Sequence, residues 1–247
     1  MNASPIQHIL FDLGGTLMHA KEDWAPNLEQ GDHALGQKLL DYNIKINPKT
    51  FRARLYEYYE QRDQDFRETT YHFVLSELLK ELGYAEVPES VIRSALDALY
   101  AVTQSNWQLE EDATETLQKL KSKNYKLGIF SNAGDDQDVQ ELIEIFGIRR
   151  HLDFVLTSAA CFYRKPHPRA FEIALAQWNI SPNEAVMVGD SLEADIYGAK
   201  NIGMQAIWLT RRAQFKDEDI RRVKPAYSLR QLNELLPTLE RISITRL

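Results

Sequence analysis

Residues 8–17 read HILFDLGGTL. Ile9, Leu10 and Phe11 form a short apolar run that stops at a carboxylate, Asp12, followed by Gly14 and Gly15. A run this short, bounded by glycines, predicts a buried strand. The same pattern returns after residue 110. Strands are expected over 126–130, ending in Ser131-Asn132, over 154–157, over 185–188, ending in Gly189-Asp190, and over 205–209. Helical spacing fills the intervals, in the stretch that carries Leu117 and Leu120, over 139–146, after Pro168 and over 195–200. Asp112 with Glu115, Ser181 with Glu184, and Ser228 with Gln231 have the capping-box spacing, and Pro182 fits a first helical position. Strands alternating with helices predict an α/β fold built on a doubly wound parallel sheet, Rossmann-like in layout.

Between the first strand and the rest the text changes. From 18 to 105 the chain is rich in Glu, Arg, Tyr and Leu and lacks strand-like runs. Phe51, Leu55, Tyr58 and Tyr59 recur at helical spacing, as do Phe73, Leu75, Leu78, Leu79 and Leu82, then Val91, Ile92, Ala95, Leu96 and Leu99. Asn47-Pro48 and Val87-Pro88 mark breaks between helices. The expected organisation is a core domain of residues 1–17 and 108–247, with a helical domain of residues 18–107 inserted after the first strand.

The chain has 247 residues, of which 44% are hydrophobic and 26% charged, so a globular fold is expected and a disordered chain is not. A net charge of −7 argues against a nucleic-acid partner, because phosphate backbones are held by excess positive charge. One cysteine, Cys161, excludes an intrachain disulfide. The short polar stretch 1–7 and the lack of long apolar runs predict a cytoplasmic protein with no membrane partner.

Ligands of open α/β sheets bind beyond the carboxyl ends of the strands. Four segments there carry chemistry: Asp12 to Thr16, Ser131-Asn132, Lys165-Pro166, and Gly189-Asp190-Ser191 with Asp195 beyond. Singly, each has an ordinary reading as a helix cap, a turn or a surface lysine. A carboxylate can act as nucleophile toward phosphorus. Paired carboxylates suit a hard cation such as Mg2+. A lysine, a hydroxyl and backbone N–H groups suit phosphate oxygens.

Together the segments resemble the haloacid dehalogenase superfamily, across the whole chain and in order. The match is close at HILFDLGGTL (8–17), GIFSNA (128–133), RKPHPRAF (164–171) and VMVGDSLEADIYGAKNIGM (186–204). The resemblance implies that the helical insert is a cap domain and that the branch is the one containing phosphoglycolate phosphatases and dehalogenases. It implies Asp12 and Lys165 as catalytic residues and Gly15, Thr16, Ser131, Asn132 and Lys165 as substrate-binding residues. It implies Asp12, the Gly14 carbonyl, Asp190 and Asp195 as holders of Mg2+. The expected partner is a small phosphorylated metabolite, the expected assembly a monomer or homodimer, and the cap is expected to hinge near 17–24 and 105–111.

One position departs from the pattern. In phosphatases of this superfamily the residue two after the nucleophile is an Asp that serves as general acid and then base. Here it is Gly14, which cannot move a proton, a loss of about 10²–10⁴-fold where no other group serves. His19, Glu22 and Asp23 follow closely, with hinge positions as their plainer reading. Three functions are therefore expected in order: a Mg2+-dependent phosphatase working through an aspartyl-phosphate, a catalytically weak phospho-ligand binder, and a 2-haloacid dehalogenase. The dehalogenase pattern also lacks the carboxylate at position 14, but it lacks the metal carboxylate that Asp190 supplies here. Trp24 and Trp107 are expected to pack at the hinges, Tyr56, Tyr58, Tyr59 and Tyr71 within the helical block, and Arg211-Arg212 on a solvated face.

Overall fold

A computed structural model describes residues 6–84 and 86–245. The stretch 1–5, part of the polar start, lies outside the described residues. The strands are β1 (His8–Phe11), β2 (Met18–Ala20), β3 (Trp107–Leu109), β4 (Lys126–Ser131), β5 (Phe154–Thr157), β6 (Ala185–Gly189), β7 (Gln205–Leu209) and β8 (Tyr227–Leu229). Six of them form one parallel sheet in the order β5-β4-β1-β6-β7-β8. The first strand of the chain is thus central, flanked by β4 and β6, which puts the segments after all three strands side by side.

Side chains on successive strand residues point to opposite faces. Ile9 and Phe11 join Leu127, Ile129, Val186 and Val188 in one apolar cluster, while Leu10 joins Phe130, Met187 and Trp208 in another. Both faces are covered, as a parallel sheet requires. Helices α5 (Ala113–Ser122), α6 (Asp136–Ile145) and α11 (Leu235–Thr245) supply residues to the first cluster; α8 (Pro168–Ala176) and α9 (Gly198–Asn201) supply the second. The remaining helices of the core are α7 (Ser158–Cys161) and α10 (Asp217–Val223). No helix among the described residues is long and apolar enough to cross a membrane.

Gly128 faces β5 so closely that an added Cβ would sit 2.6 Å from the Phe154 ring. Gly128→Ala is expected to cost about 1–3 kcal/mol through overpacking, read as a lower midpoint in a urea melt with an unchanged slope.

Four helices follow β2: α1 (Trp24–Leu40), α2 (Pro48–Asp65), α3 (Tyr71–Glu81) and α4 (Glu89–Gln104). They enclose an apolar cluster of their own, including Leu35, Phe51, Leu55, Leu75, Leu78 and Leu96. The proline breaks fall at helix starts: Pro48 opens α2 with the Asn47 side chain accepting from the Lys49 N–H at 3.0 Å, and Pro88 precedes α4. The two chain passages between this block and the sheet pair as an antiparallel ribbon, β2 with β3, matching Met18 to Leu109 and Ala20 to Trp107.

Several local expectations are corrected. Residues 227–229 are strand β8, and the cap role shifts from Ser228 to Gln231, whose N–H donates to Glu234 at 2.9 Å. Three residues are too few to display a strand period. Asp112 caps no N–H of the helix it precedes; its carboxylate accepts from both Arg211 amino groups at 3.0 Å and from the Asn233 N–H at 3.1 Å. Arg211 and Arg212 therefore do not form a free solvated face, since they also clamp the buried Glu110. The 195–200 stretch is entered by a π-helix over Leu192–Tyr197, a wider turn of the kind found at functional sites.

Candidate active site

Each element delivers one group. Asp12 directly follows β1, and its N–H donates to the Val188 carbonyl at 2.9 Å, so its position is fixed to the neighbouring strand. Ser131 ends β4. The next residue, Asn132, clamps the Lys165 loop: its Nδ2 donates to the Lys165 carbonyl and its Oδ1 accepts the Lys165 N–H, both at 2.9 Å. Asp190 follows β6, and the π-helix beyond it turns Asp195 back toward the sheet. Gly189 leaves room for that return, because a Cβ there would sit 2.2 Å from Asp195 Oδ2. Gly15 has φ of +82° and lies under Asp190, where a Cβ would stand 2.4 Å from Oδ2. Backbone and space both demand glycine at that position.

Lys165 is 3% exposed and its Nζ donates to Asp12 Oδ1 and Asp195 Oδ1, each at 2.6 Å. Burial works against its charge, but the two carboxylates outweigh it and hold its pKa above the ordinary lysine value. Asp195 uses its other oxygen, Oδ2, to accept the Ser191 N–H at 3.0 Å. The Thr16 hydroxyl, fully buried, reaches Asp190 Oδ1 at 3.4 Å. Burial, then the charges of Asp12 and Asp195, push the Asp190 carboxyl up to about 7. Burial likewise raises Asp195, against the opposing pull of Lys165.

Carboxylate oxygens of Asp12, Asp190 and Asp195 lie within 4.8 Å of one another. One lysine cannot neutralise three carboxylates, and the raised Asp190 records the shortfall. Hard oxygen donors, excess negative charge and this spacing fit a small divalent cation such as Mg2+. Asp12 and Asp190 have oxygens to give it, whereas both Asp195 oxygens already accept hydrogen bonds.

Above this cluster lies a cavity of about 650 Å³. Asp12, Gly14, Ser131, Asn132 and Lys165 form part of its floor, with Asp190 and Asp195 beside them. The helical block supplies a wall that includes Trp24, Leu28, Tyr59, Tyr71 and Leu99, and Trp107 joins it from β3. Trp24 and Trp107 pack against each other, with ring centroids 4.9 Å apart, and both also line the cavity. Of the four tyrosines, Tyr56 is exposed, while Tyr59 and Tyr71 share a hydroxyl–hydroxyl bond of 2.9 Å on the wall. His19 does not enter the cavity wall; its Nδ1 is 3.0 Å from the buried Glu110. Asp23 caps α1.

Two residues had no sequence signal. Arg164 lines the cavity and pairs with Glu68, a buried carboxylate from the α2–α3 connection that also accepts the Ser158 hydroxyl. Backbone bonds join the same strip to the core, Glu68 N–H to the Phe162 carbonyl at 3.0 Å and Arg164 N–H to Phe66 at 2.8 Å. Arg164 looked like one of two adjacent basic residues, and Glu68 like one of many surface acids. Only the docking of the helical block brings them together.

The model of the haloacid dehalogenase-like hydrolases matches residues 37–209. A glyceraldehyde 3-phosphate phosphatase of Pyrococcus furiosus is 29% identical over 238 residues, covering 96% of this chain and 94% of that protein. The crystal structure of a HAD phosphatase from Thermococcus onnurineus superposes with a TM-score of 0.66 at 28% identity, covering 95% of this chain and 98% of that one. The Bacillus subtilis HAD-hydrolase YfnB, solved bound to magnesium and described as revealing interdomain movement, shares the fold with a TM-score of 0.61 at 22% identity, covering 96% and 99%.

Proposed function

The chain belongs to the haloacid dehalogenase-like hydrolases, and we propose that it is a Mg2+-dependent phosphatase of a small phosphorylated metabolite that works through a phosphorylated Asp12. The observation that carries this reading is the buried Lys165 Nζ held between Asp12 and Asp195, with Asp190 alongside, at the strand ends beneath the cavity.

One Asp12 carboxylate oxygen attacks phosphorus, and the bond to the leaving group breaks. Lys165 offsets the charge of the nucleophile and of the phosphoryl oxygens. The Ser131 hydroxyl, at the cavity floor, donates to a phosphoryl oxygen. Asp195 is a positioning residue that holds Lys165. Asp12, Asp190 and the Gly14 carbonyl would hold Mg2+, whose charge favours phosphoryl transfer when it is bound. Residues 18–107 act as a cap that encloses the substrate and excludes water. Opening would release Arg164 from Glu68 and Arg93 from Asp135, the latter pair standing at 2.8 Å.

The expected result with 4-nitrophenyl phosphate is release that requires Mg2+ and is lost in Asp190→Asn, since a hard cation then loses one of its two anionic ligands. Calorimetry should show weakened Mg2+ binding in the same variant. Metal-independent chloride release from 2-chloropropionate, without phosphate release, would replace this reading with dehalogenation.

A further inference from the structure

We infer that Trp107 occupies the room a carboxylate at position 14 would need, and that the site in consequence selects phosphates whose leaving group departs as a stable anion, acyl or aryl phosphates in preference to alkyl ones. This rests on the reading of Asp12 as the phosphoryl acceptor.

Gly14 stands two residues beyond Asp12 on the cavity floor. Its backbone is not in the left-handed region, unlike that of Gly15, so its conformation does not demand glycine. The space does. An added Cβ would lie 3.0 Å from Trp107 Cη2 and 3.6 Å from Cζ3, and the carboxyl group of an aspartate would extend further. The indole is held from two sides. Its backbone is paired with Ala20 in the β2–β3 ribbon, and its ring meets Trp24 edge-on at 4.9 Å. The small residue and the large one fill one volume, and an apolar ring lines the cavity beside position 14.

Most of the other titratable groups on the cavity wall are engaged; the exception is the buried Tyr100 hydroxyl, which has no hydrogen-bond partner among the described residues and whose pKa burial raises. Tyr59 and Tyr71 bond each other at 2.9 Å. Asp135 accepts from Arg93 at 2.8 Å, and Asp138 accepts from Gln104 at 3.0 Å. A departing alkoxide needs a proton; a carboxylate or a nitrophenolate does not. In the step proposed, Asp12 forms a bond to phosphorus, the P–O bond to the leaving group breaks, and the electron pair leaves on that oxygen as the carboxylate or phenolate. Water then displaces Asp12 from phosphorus, its proton passes to solvent, and inorganic phosphate departs. The inference separates this chain from its Pyrococcus furiosus relative, whose name gives an alkyl phosphate as substrate.

The test uses the unmodified protein with Mg2+ and compares kcat/KM for benzoyl phosphate, 4-nitrophenyl phosphate and the alkyl ester 2-phenylethyl phosphate. These keep an aromatic ring and change the acidity of the leaving group. The acyl and aryl substrates are expected to exceed the alkyl one by about 10²-fold or more, and the faster of the two names the natural source. An alkyl substrate within tenfold of both overturns the inference and leaves the phosphatase reading intact. That outcome combined with loss of alkyl turnover in Asp138→Asn or in Tyr100→Phe would assign the acid to the residue replaced. Phosphate release from none of the three overturns the phosphatase reading and the inference with it. The role of Trp107 has its own arm. Gly14→Asp alone should not narrow the gap, whereas Gly14→Asp with Trp107→Ala should narrow it, provided melting and vanadate binding show a folded site. Narrowing by the single variant, or none by a folded double variant, overturns the assignment to Trp107.

Discussion

Asp12→Asn is expected to abolish phosphate release, by on the order of 10⁴–10⁶-fold, the scale on which loss of a covalent nucleophile acts, while leaving the fold as stable as the parent or more so. An amide is a poor nucleophile, yet its oxygen still accepts the hydrogen bond that Lys165 Nζ gives Asp12 at 2.6 Å. The substitution also removes one of three crowded carboxylates, and Asp12 is one of the charges that raise Asp190. Relief of that repulsion opposes any packing loss, the usual trade between stability and function at a charged site. Paired measurements of turnover and thermal midpoint check both halves. Residual activity above about one part in 10³ would remove Asp12 from the nucleophile role.

Lys165→Met should fail on both counts. The methionine fills a similar volume but leaves Asp12 and Asp195 without their shared cation, at a position where Asp195 is fully buried. Removing one partner of a buried charge cluster costs about 3–5 kcal/mol, a fall in Tm on the order of 10 °C for a domain of this size. The loss should depend on pH in a definite direction. The folded-state pKa values of Asp190 and Asp195 already lie above their unfolded values, the first at about 7. The folded state therefore binds more protons than the unfolded state between about pH 4 and pH 7, and stability contributed by these groups falls as pH rises through that window. Without Lys165, which holds the Asp195 pKa down, the window extends upward. The deficit of the variant should accordingly be smaller at pH 5 than at pH 8. A deficit independent of pH would mean that lost packing, not unpaired charge, destabilises the variant.

The parts legible in the sequence are those in which the signal is local. Ile9 to Phe11 ending at Asp12 announced a buried strand because burial on both faces leaves a continuous apolar run, and the structure adds that β1 lies between β4 and β6. Pro48 and Pro88 marked breaks between helices because proline cannot continue a helix that precedes it, and the structure puts helix starts there. Asp12, Ser131, Lys165, Asp190 and Asp195 were found by their places after strands, and the sheet brings them to one cavity floor. What failed was short or borrowed its meaning from elsewhere. β8 spans three residues, below any period, and Asp112 has the spacing of a cap but is taken by Arg211, which lies 99 residues away.

Position 14 shows where the sequence by itself stops. It determined that glycine stands two residues past Asp12, that no proton can come from there, and that a parallel sheet would carry the carboxylates to its carboxyl edge. It did not determine why glycine is there. A backbone that demands glycine and a neighbour that fills the space are written with the same letter in the chain. Tertiary structure separated them: Gly15 has the strained φ, and Gly14 has the indole of Trp107, 93 residues away, 3.0 Å from where its Cβ would be. The physical reason is that backbone preference and strand burial are written in neighbouring residues, whereas excluded volume depends on which distant side chain the fold delivers to the same point. The partnership of Arg164 with Glu68 has the same origin. A charge gains its partner only when two separately folded layers meet.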